Sequence, residues 1–332
     1  MNLRSRRLRL AFVLAAVLLL AGGSLGYVLH ARHRERPLRQ AAADASFGLE
    51  EPGLYFRDAA TGRVARQPGQ DAARVTGGPS CDRFHTAGEH ALCLRGLPGT
   101  PARTEALVLD RRLREVRRVT VPGIPNRARV SASGQLLSWT TFATGDSYAT
   151  SAFSTRTSIL DLRTGYLVKS MEQIPLTLDG VRHHRPDVNY WGVTFARDDN
   201  LFYATVSTGG RTYLVEGDLR NWSAKALREN VECPSLSPDG TRVAFKKRVS
   251  DDLRAPWRLY VLDLATLREH PTAEPHGVDD QAAWLDDSTL AYALPGGDGR
   301  AQDIWSVPAD GPGAPRLLVT GGSSPATVRG TS

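Results

Sequence analysis

Residues whose types and spacing could do chemistry are sparse in this sequence. Gly22-Gly23-Ser24-Leu25-Gly26 has the spacing of a nucleophile elbow, which holds a serine on a strained turn between a strand and a helix. Here it lies inside an uncharged apolar run, where small residues let helices approach closely, so it is not read as a catalytic serine. His183 and His184, in the stretch DGVRHHRPD at 179–187, could ligate a metal together with the flanking carboxylates. Adjacent side chains on an extended strand point to opposite sides, however, and the spacing specifies no third ligand. The pair reads as part of a polar surface loop, and no metal or cofactor is expected. Asp239, in Ser237-Pro238-Asp239-Gly240, and the pair Asp286-Asp287 sit in turn sequences, where a carboxylate accepts hydrogen bonds from nearby backbone. With no nucleophile, base and oxyanion donor brought together, an enzyme is not expected.

Cysteine adds a structural bond rather than a reaction. Cys81 and Cys93 lie symmetrically about residue 87, beside the turn at Ala87-Gly88. In a two-stranded hairpin centred there they face one another, and non-hydrogen-bonded antiparallel partners sit ~4.5 Å apart at Cα, within disulfide range. A Cys81–Cys93 bridge is therefore expected. Cys233 has no evident partner and reads as a small buried apolar residue.

The elements around these residues begin with a charge asymmetry. The net charge is +7, but residues 1–40 contain eight arginines and one glutamate, which is the whole excess. The rest of the chain is charge-balanced, so no basic face remains for nucleic acid and none is expected as a partner. The basic residues flank twenty uncharged, mostly apolar residues at 10–29, which as a helix would span ~30 Å, the hydrocarbon thickness of a bilayer. The reading is a basic cytoplasmic N-terminus at 1–9, a transmembrane signal-anchor at 10–29 and a linker at 30–47. A globular domain at 48–330 then lies outside the cell membrane. A cleaved export signal, giving a secreted domain, is the alternative.

Beyond residue 47 the strongest signal is self-similarity. Leu236-Ser237-Pro238-Asp239-Gly240 is followed by Val243 and Phe245, a turn and then a strand of half-buried pattern. Looser copies start at Val130, Phe195, Trp284 and Phe84. Each is followed by an apolar run ending near an aspartate (Asp110, Asp161, Asp218, Asp263, Asp310) and then by a shorter fourth strand. Four antiparallel strands recurring at this interval make the blade of a β-propeller. At the start, 54–57, 63–66 and 74–75 look like the second to fourth strands of a blade without its first. Residues 323–328 supply a first-strand pattern at the far end. Closing the ring with that strand makes six blades and removes the open edges of a linear array. The fold expected is all-β, a six-bladed propeller of four-stranded antiparallel blades, preceded by one N-terminal transmembrane helix.

Residues 237–245 with 257–264 resemble the repeats of TolB-like propellers, a likeness that extends over about 48–328 and is close only in the fifth blade. The α/β domain that precedes the propeller in TolB proteins has no counterpart in this reading. The resemblance implies an exported six-bladed ring used for protein–protein contact in the cell envelope. The insertion ATGDSYATSAFSTRT at 143–157 interrupts the third blade between its second and third strands. With Tyr148 and Phe153, and with His183 and His184 between the third and fourth blades, it forms the candidate partner-binding surface, since propellers bind through such loops. The function expected is a membrane-anchored protein-binding or scaffold module whose partner is an unknown envelope protein or peptide. A sensory or substrate-binding component of a transport or secretion system is the alternative, and a lyase or glycosidase at the channel mouth is a more distant one. Cysteines engineered on the propeller surface should react with a membrane-impermeant thiol reagent in intact cells; labelling only after lysis would reverse the orientation.

Overall fold

The computed structural model describes residues 44, 46–69, 72–144, 153–297, 299 and 301–329, together with 17, 20 and 22. The chain divides into two compact units, Met1–Ala42 and Ala43–Ser332. In the first, Val17, Leu20 and Gly22 are helical, and the span read at 10–29 otherwise lies outside the described residues. Among the described residues no helix is long and apolar enough to cross a membrane.

The second unit opens with β1 (Gly53–Asp58), β2 (Arg63–Gln67) and β3 (Val75–Ser80). The second blade is β4 (Arg83–Ala87), β5 (His90–Leu97), β6 (Arg103–Leu109) and β7 (Glu115–Pro122). The third is β8 (Ile124–Val130), β9 (Leu136–Thr144), β10 (Ser154–Asp161) and β11 (Leu167–Val168). A hairpin of β12 (Leu176–Leu178) and β13 (Val181–His183) precedes the fourth blade, β14 (Asn189–Phe195), β15 (Leu201–Thr208), β16 (Arg211–Asp218) and β17 (Ser223–Glu229). The fifth is β18 (Glu232–Leu236), β19 (Arg242–Arg248), β20 (Trp257–Asp263) and β21 (Glu269–Pro271). The sixth is β22 (Ala283–Trp284), β23 (Thr289–Pro295), β24 (Gln302–Pro308) and β25 (Arg316–Val319), and β26 (Gly322–Val328) ends the chain.

Each blade is an antiparallel sheet, and β26 is the inner strand of the first, in the order β26-β1-β2-β3. Val328 pairs with Gly53 and Ala326 with Tyr55, so the ring closes through its C-terminal strand, as the sequence pattern indicates. The blades differ from expectation at one place. The fourth carries β12 and β13 on its outer edge, with β12 parallel to β17, so His183 sits on a strand rather than in a loop. The packed chain also begins before residue 48. Phe47 is buried edge-on against Tyr55, and the Asp44 N–H donates to Gly77 O, which places the end of the expected 30–47 linker inside the propeller.

The recurrent aspartates have a local cause. Asp110 accepts the backbone N–H groups of Arg112 and Arg114, Asp161 that of Arg163, Asp218 that of Asn221 and Asp263 that of Thr266. Each carboxylate closes the turn between third and fourth strands and satisfies donors the ladder leaves open. Hydrogen bonds from the Thr266 side chain and backbone hold the Asp263 carboxyl below its ordinary range. Asp239 does the same for Thr241, in a turn whose Gly240 has φ +78°.

Packing explains a second departure. The alternation at Val243 and Phe245 predicts one buried face, yet Val243, Ala244, Phe245 and Lys246 are all buried. A blade is sandwiched between two others, so its middle strands lose solvent on both faces and read as apolar runs. Among the described residues, clusters of buried side chains fill each gap between neighbouring blades, including the gap that closure creates, where Phe56 and Ala65 of the first blade meet Ala291, Ile304 and Val319.

Cys81 and Cys93 are bridged, with 5.4 Å between their Cα atoms, and Cys233 is free and buried. The geometry differs from the symmetric hairpin. Ala87 pairs with His90 and Phe84 with Cys93, so Cys81 lies ahead of β4, in the connection from the first blade. The bond therefore pins an inter-blade link to the second blade's second strand. Closing a loop of this length contributes about 3 kcal/mol in the chain-entropy account.

Deleting residues 322–332 should remove the hydrogen-bond ladder to β1 and expose the closing interface. Domain stabilities are only ~5–15 kcal/mol, so the truncated chain should lose most of its stability. A thermal melt within a degree or two of the full-length protein would show that the ring does not depend on this strand.

Candidate functional site

The inner strands β26, β4, β8, β14, β18 and β22 are neighbours around the axis. Where they end, their last residues and the turns that follow enclose a cup of about 460 Å³. Every blade contributes to it: Thr327 to Arg329, His85 to Glu89, Arg129 to Ala132, Thr194 with Arg197, Ser235 to Pro238, and Trp284. Close approach of the turns requires glycine at position 88, where φ is +57° and a Cβ would stand 2.7 Å from the Ser133 carbonyl. Four arginines, Arg111, Arg129, Arg197 and Arg329, face the cup against one acid, Glu89. Arg111 pairs with Glu89 at 3.0 Å, and Arg329 donates to Leu285 O.

The floor of the cup is built across the axis. Arg129, on the third blade, donates to Ala282 O on the opposite side of the ring at 3.3 Å. Gln281 donates to Val193 O and Pro234 O, at 3.1 and 2.8 Å, joining the sixth blade to the fourth and fifth. Below them Lys246, fully buried, lies 2.5 Å from Asp279 Oδ1 and 3.5 Å from the centre of the Trp257 ring. Arg127 reaches the same Asp279 at 3.5 Å, and Trp257 donates to Glu232. Burial alone would neutralise Lys246, but Asp279 and the other anions around it raise its pKa instead. The Asp279 side chain itself is 51% exposed. The axis is thus bridged by a polar layer.

His85 is the unusual titratable group. Its Nδ1 faces the Val130 N–H at 3.1 Å and its Nε2 faces Arg129 Nη1 at 3.0 Å. Desolvation, with the Arg129 charge adding to it, pushes its pKa well below the ordinary 6.5, so the ring is neutral at physiological pH. Burial also lowers Arg129, to about 10, which leaves it charged.

Of the candidate residues singled out in the sequence, those described do not line this cup. Tyr148 is outside the described residues. Phe153 packs edge-on against Trp191, 5.4 Å between ring centres, beside Phe142, Cys233 and Trp257 near the opposite face. His183 Nε2 is 2.9 Å from Thr208 Oγ1, whose hydroxyl donates to Asp187, and His184 is exposed. Asp286 accepts from Ser288, and Asp287 accepts the Asp239 N–H of the neighbouring blade, so both serve turns. Among the described residues no three His, Cys, Asp or Glu side chains are grouped to hold a metal. His85, Arg129, Arg197 and Arg329 escaped the sequence reading. The available signal was Arg127 and Arg129 two apart on a first strand, which puts both on its axial face.

Comparison with protein-family models and with curated proteins finds no match. Solved structures do resemble the chain. TolB from Acinetobacter baumannii is 17% identical with a TM-score of 0.57, over 83% of this chain and 66% of that one. A protein described as TolB from Agrobacterium tumefaciens is 11% identical with a TM-score of 0.47, over 82% and 91%. A puromycin-hydrolyzing peptidase from Mycobacterium tuberculosis is 16% identical with a TM-score of 0.46, over 85% and 48%. The first likeness carries the fold alone: this chain has a six-bladed propeller similar to that of TolB, and spans just under two thirds of that TolB's length.

The state of His85 sets a pH dependence. Because its folded pKa is depressed, the unfolded chain binds the proton first as pH falls below about 6.5. Its contribution is complete above that value and is lost on acidification, at up to ~1.4 kcal/mol per pH unit. His85→Gln should flatten the stability profile between pH 6.5 and 5, measured by urea unfolding. Equal slopes in the two proteins would mean that His85 does not resist protonation.

Proposed function

We propose that this protein is a membrane-anchored, extracytoplasmic propeller that binds an envelope protein through the cup at the end of its inner strands. The observation that carries this reading is the cup itself, a concave site to which all six blades contribute and whose charged lining is mostly arginine. Binding sites of ~300–1,000 Å³ are concave and largely preformed, and this cup falls in that range. A rigid ring holds such a cup in one shape without ordering cost, so binding energy is not spent on assembling the site. The wall offers apolar contact at Ala87, Leu236 and Val328 and hydrogen-bonding backbone at the turns, which suits an extended segment of a partner chain. The anchor read at 10–29 would keep the ring beside the membrane, where a partner is met repeatedly at high local concentration.

A photo-crosslinking residue placed at Arg197 or Arg329, on the rim, should give a discrete protein adduct in membranes of the native host. The same residue at Val181 or Leu253, exposed positions away from the cup, should give none. Adducts at all four positions, or at none, would refute the cup as the binding surface.

A further inference from the structure

The floor of the cup holds more hydrogen-bond donors than acceptors. A neutral imidazole offers one lone pair and one N–H, yet both nitrogens of His85 face obligatory donors, the Val130 N–H and the Arg129 guanidinium. One of those donors must therefore oppose the ring's own N–H. Arg129 is 92% buried, at 8% exposure, and its Nε has no hydrogen-bond partner. Its remaining direct contact is the Ala282 carbonyl at 3.3 Å, and among the described residues it forms no ion pair. Asp280 is the anion that acts on it most strongly, at a distance and without a direct contact, while its oxygens accept the Gln281 and Ala293 N–H groups. A buried guanidinium without a paired anion is costly in a fold that has no use for it.

We propose that the floor is a receptor for a single carboxylate group, seated on the cup side of the Arg129 guanidinium. Such a group supplies what the floor lacks, two acceptor oxygens and one negative charge. Arginine binds carboxylates through paired, charge-assisted hydrogen bonds. The floor presents one guanidinium and a neutral imidazole, which matches a planar monoanion better than a dianionic phosphate. Arg197, which makes no hydrogen bond or ion pair among the described residues, stands at the rim, where it draws an anion inward and is screened by salt. This rests on the reading that the cup receives a partner segment. It adds that the segment ends in, or presents, a free carboxylate.

The test uses full-length protein in detergent and follows the side-chain N–H signal of Arg129 by nitrogen-15 NMR, so no variant need fold. Acetate should shift that signal, while acetamide and chloride at equal ionic strength should not. An acetylated pentaalanine with a free C-terminus should shift it at a concentration at least ten-fold lower than acetate does, and the C-terminal amide should not. That outcome identifies a chain-borne carboxylate; acetate and peptide acting at equal concentration would identify a small carboxylate as the source. No response to acetate or to the free-acid peptide would overturn the proposal, as would an equal response to phosphate and chloride. Arg197→Ala, a rim change distant from the floor contacts, should weaken acetate binding several-fold at low salt and little at high salt. Rim crosslinks to a protein combined with a silent Arg129 would sink the carboxylate site and leave partner binding standing. An Arg129 response without any rim crosslink would do the reverse.

Discussion

Every blade of this molecule has two apolar faces and can satisfy neither alone. A blade in isolation would leave side chains such as Phe245, Leu262 and Tyr292 against water, each worth ~1.5–3 kcal/mol of burial. Stacking blades buries all faces except those at the two ends of the stack, and those ends can be covered only by each other. The pairing of β26 with β1 is thus not an ornament of the topology. It is the condition under which Phe56 and Ile304 find one another across the seam. The strand order within the first blade, with its inner strand taken from the other end of the chain, follows from this one requirement.

The same convergence dictates what happens at the axis. Six strands that run side by side toward a common line bring their first-strand side chains within reach of residues half the chain away. Apolar side chains there would fill the hole; this sequence puts arginine, glutamine, lysine and aspartate there instead. Arg129 and Gln281 tie opposite blades together, and Lys246 with Asp279 and Trp257 occupies the level beneath. Removing one partner of such a layer leaves a desolvated charge behind, which costs more than the contact itself contributed. The polar floor fixes how the blades are spaced and at the same time gives the cup its charge.

What could be read from the sequence and what could not divides along the range of the interactions. The turn at Pro238-Asp239-Gly240, the aspartates that close the outer turns and the apolar run at Leu107-Val108-Leu109 all act within a few residues, so their pattern is local and visible. The closing strand was legible because 323–328 repeats a pattern whose counterpart is missing near residue 50. The pairing of Cys81 with Cys93 was legible while its register was not, because the hairpin turn falls at Gly88-Glu89 rather than at residue 87 and shifts Cys81 out of the strand. The cup was the least visible part. His85 and Arg129 are 44 positions apart, and beyond the two-residue spacing of Arg127 and Arg129 nothing local distinguishes them from other polar residues at strand ends. Only the ring geometry turns their side chains toward one line. The edge hairpin of the fourth blade escaped for a related reason: three-residue strands at 176–178 and 181–183 carry too little periodicity to announce themselves, and their pairing with β17 is tertiary.

The way the chain enters the ring has a mechanical meaning. Between residues 44 and 49 the backbone is bonded to both of the first two blades, through Asp44 to Gly77 and through Leu49 to Arg111. A few residues later it becomes β1, hydrogen-bonded on one side to β2 and on the other to the closing strand. The covalent bridge from Cys81 to Cys93 then fastens the connection between those two blades to the second of them. A pull on the chain ahead of residue 43 is therefore spread over two blades. It must slide β1 along its neighbours, breaking many hydrogen bonds at once rather than peeling them one by one. The N-terminal entry of the ring is thus loaded in shear, the direction in which a strand's hydrogen bonds share the load.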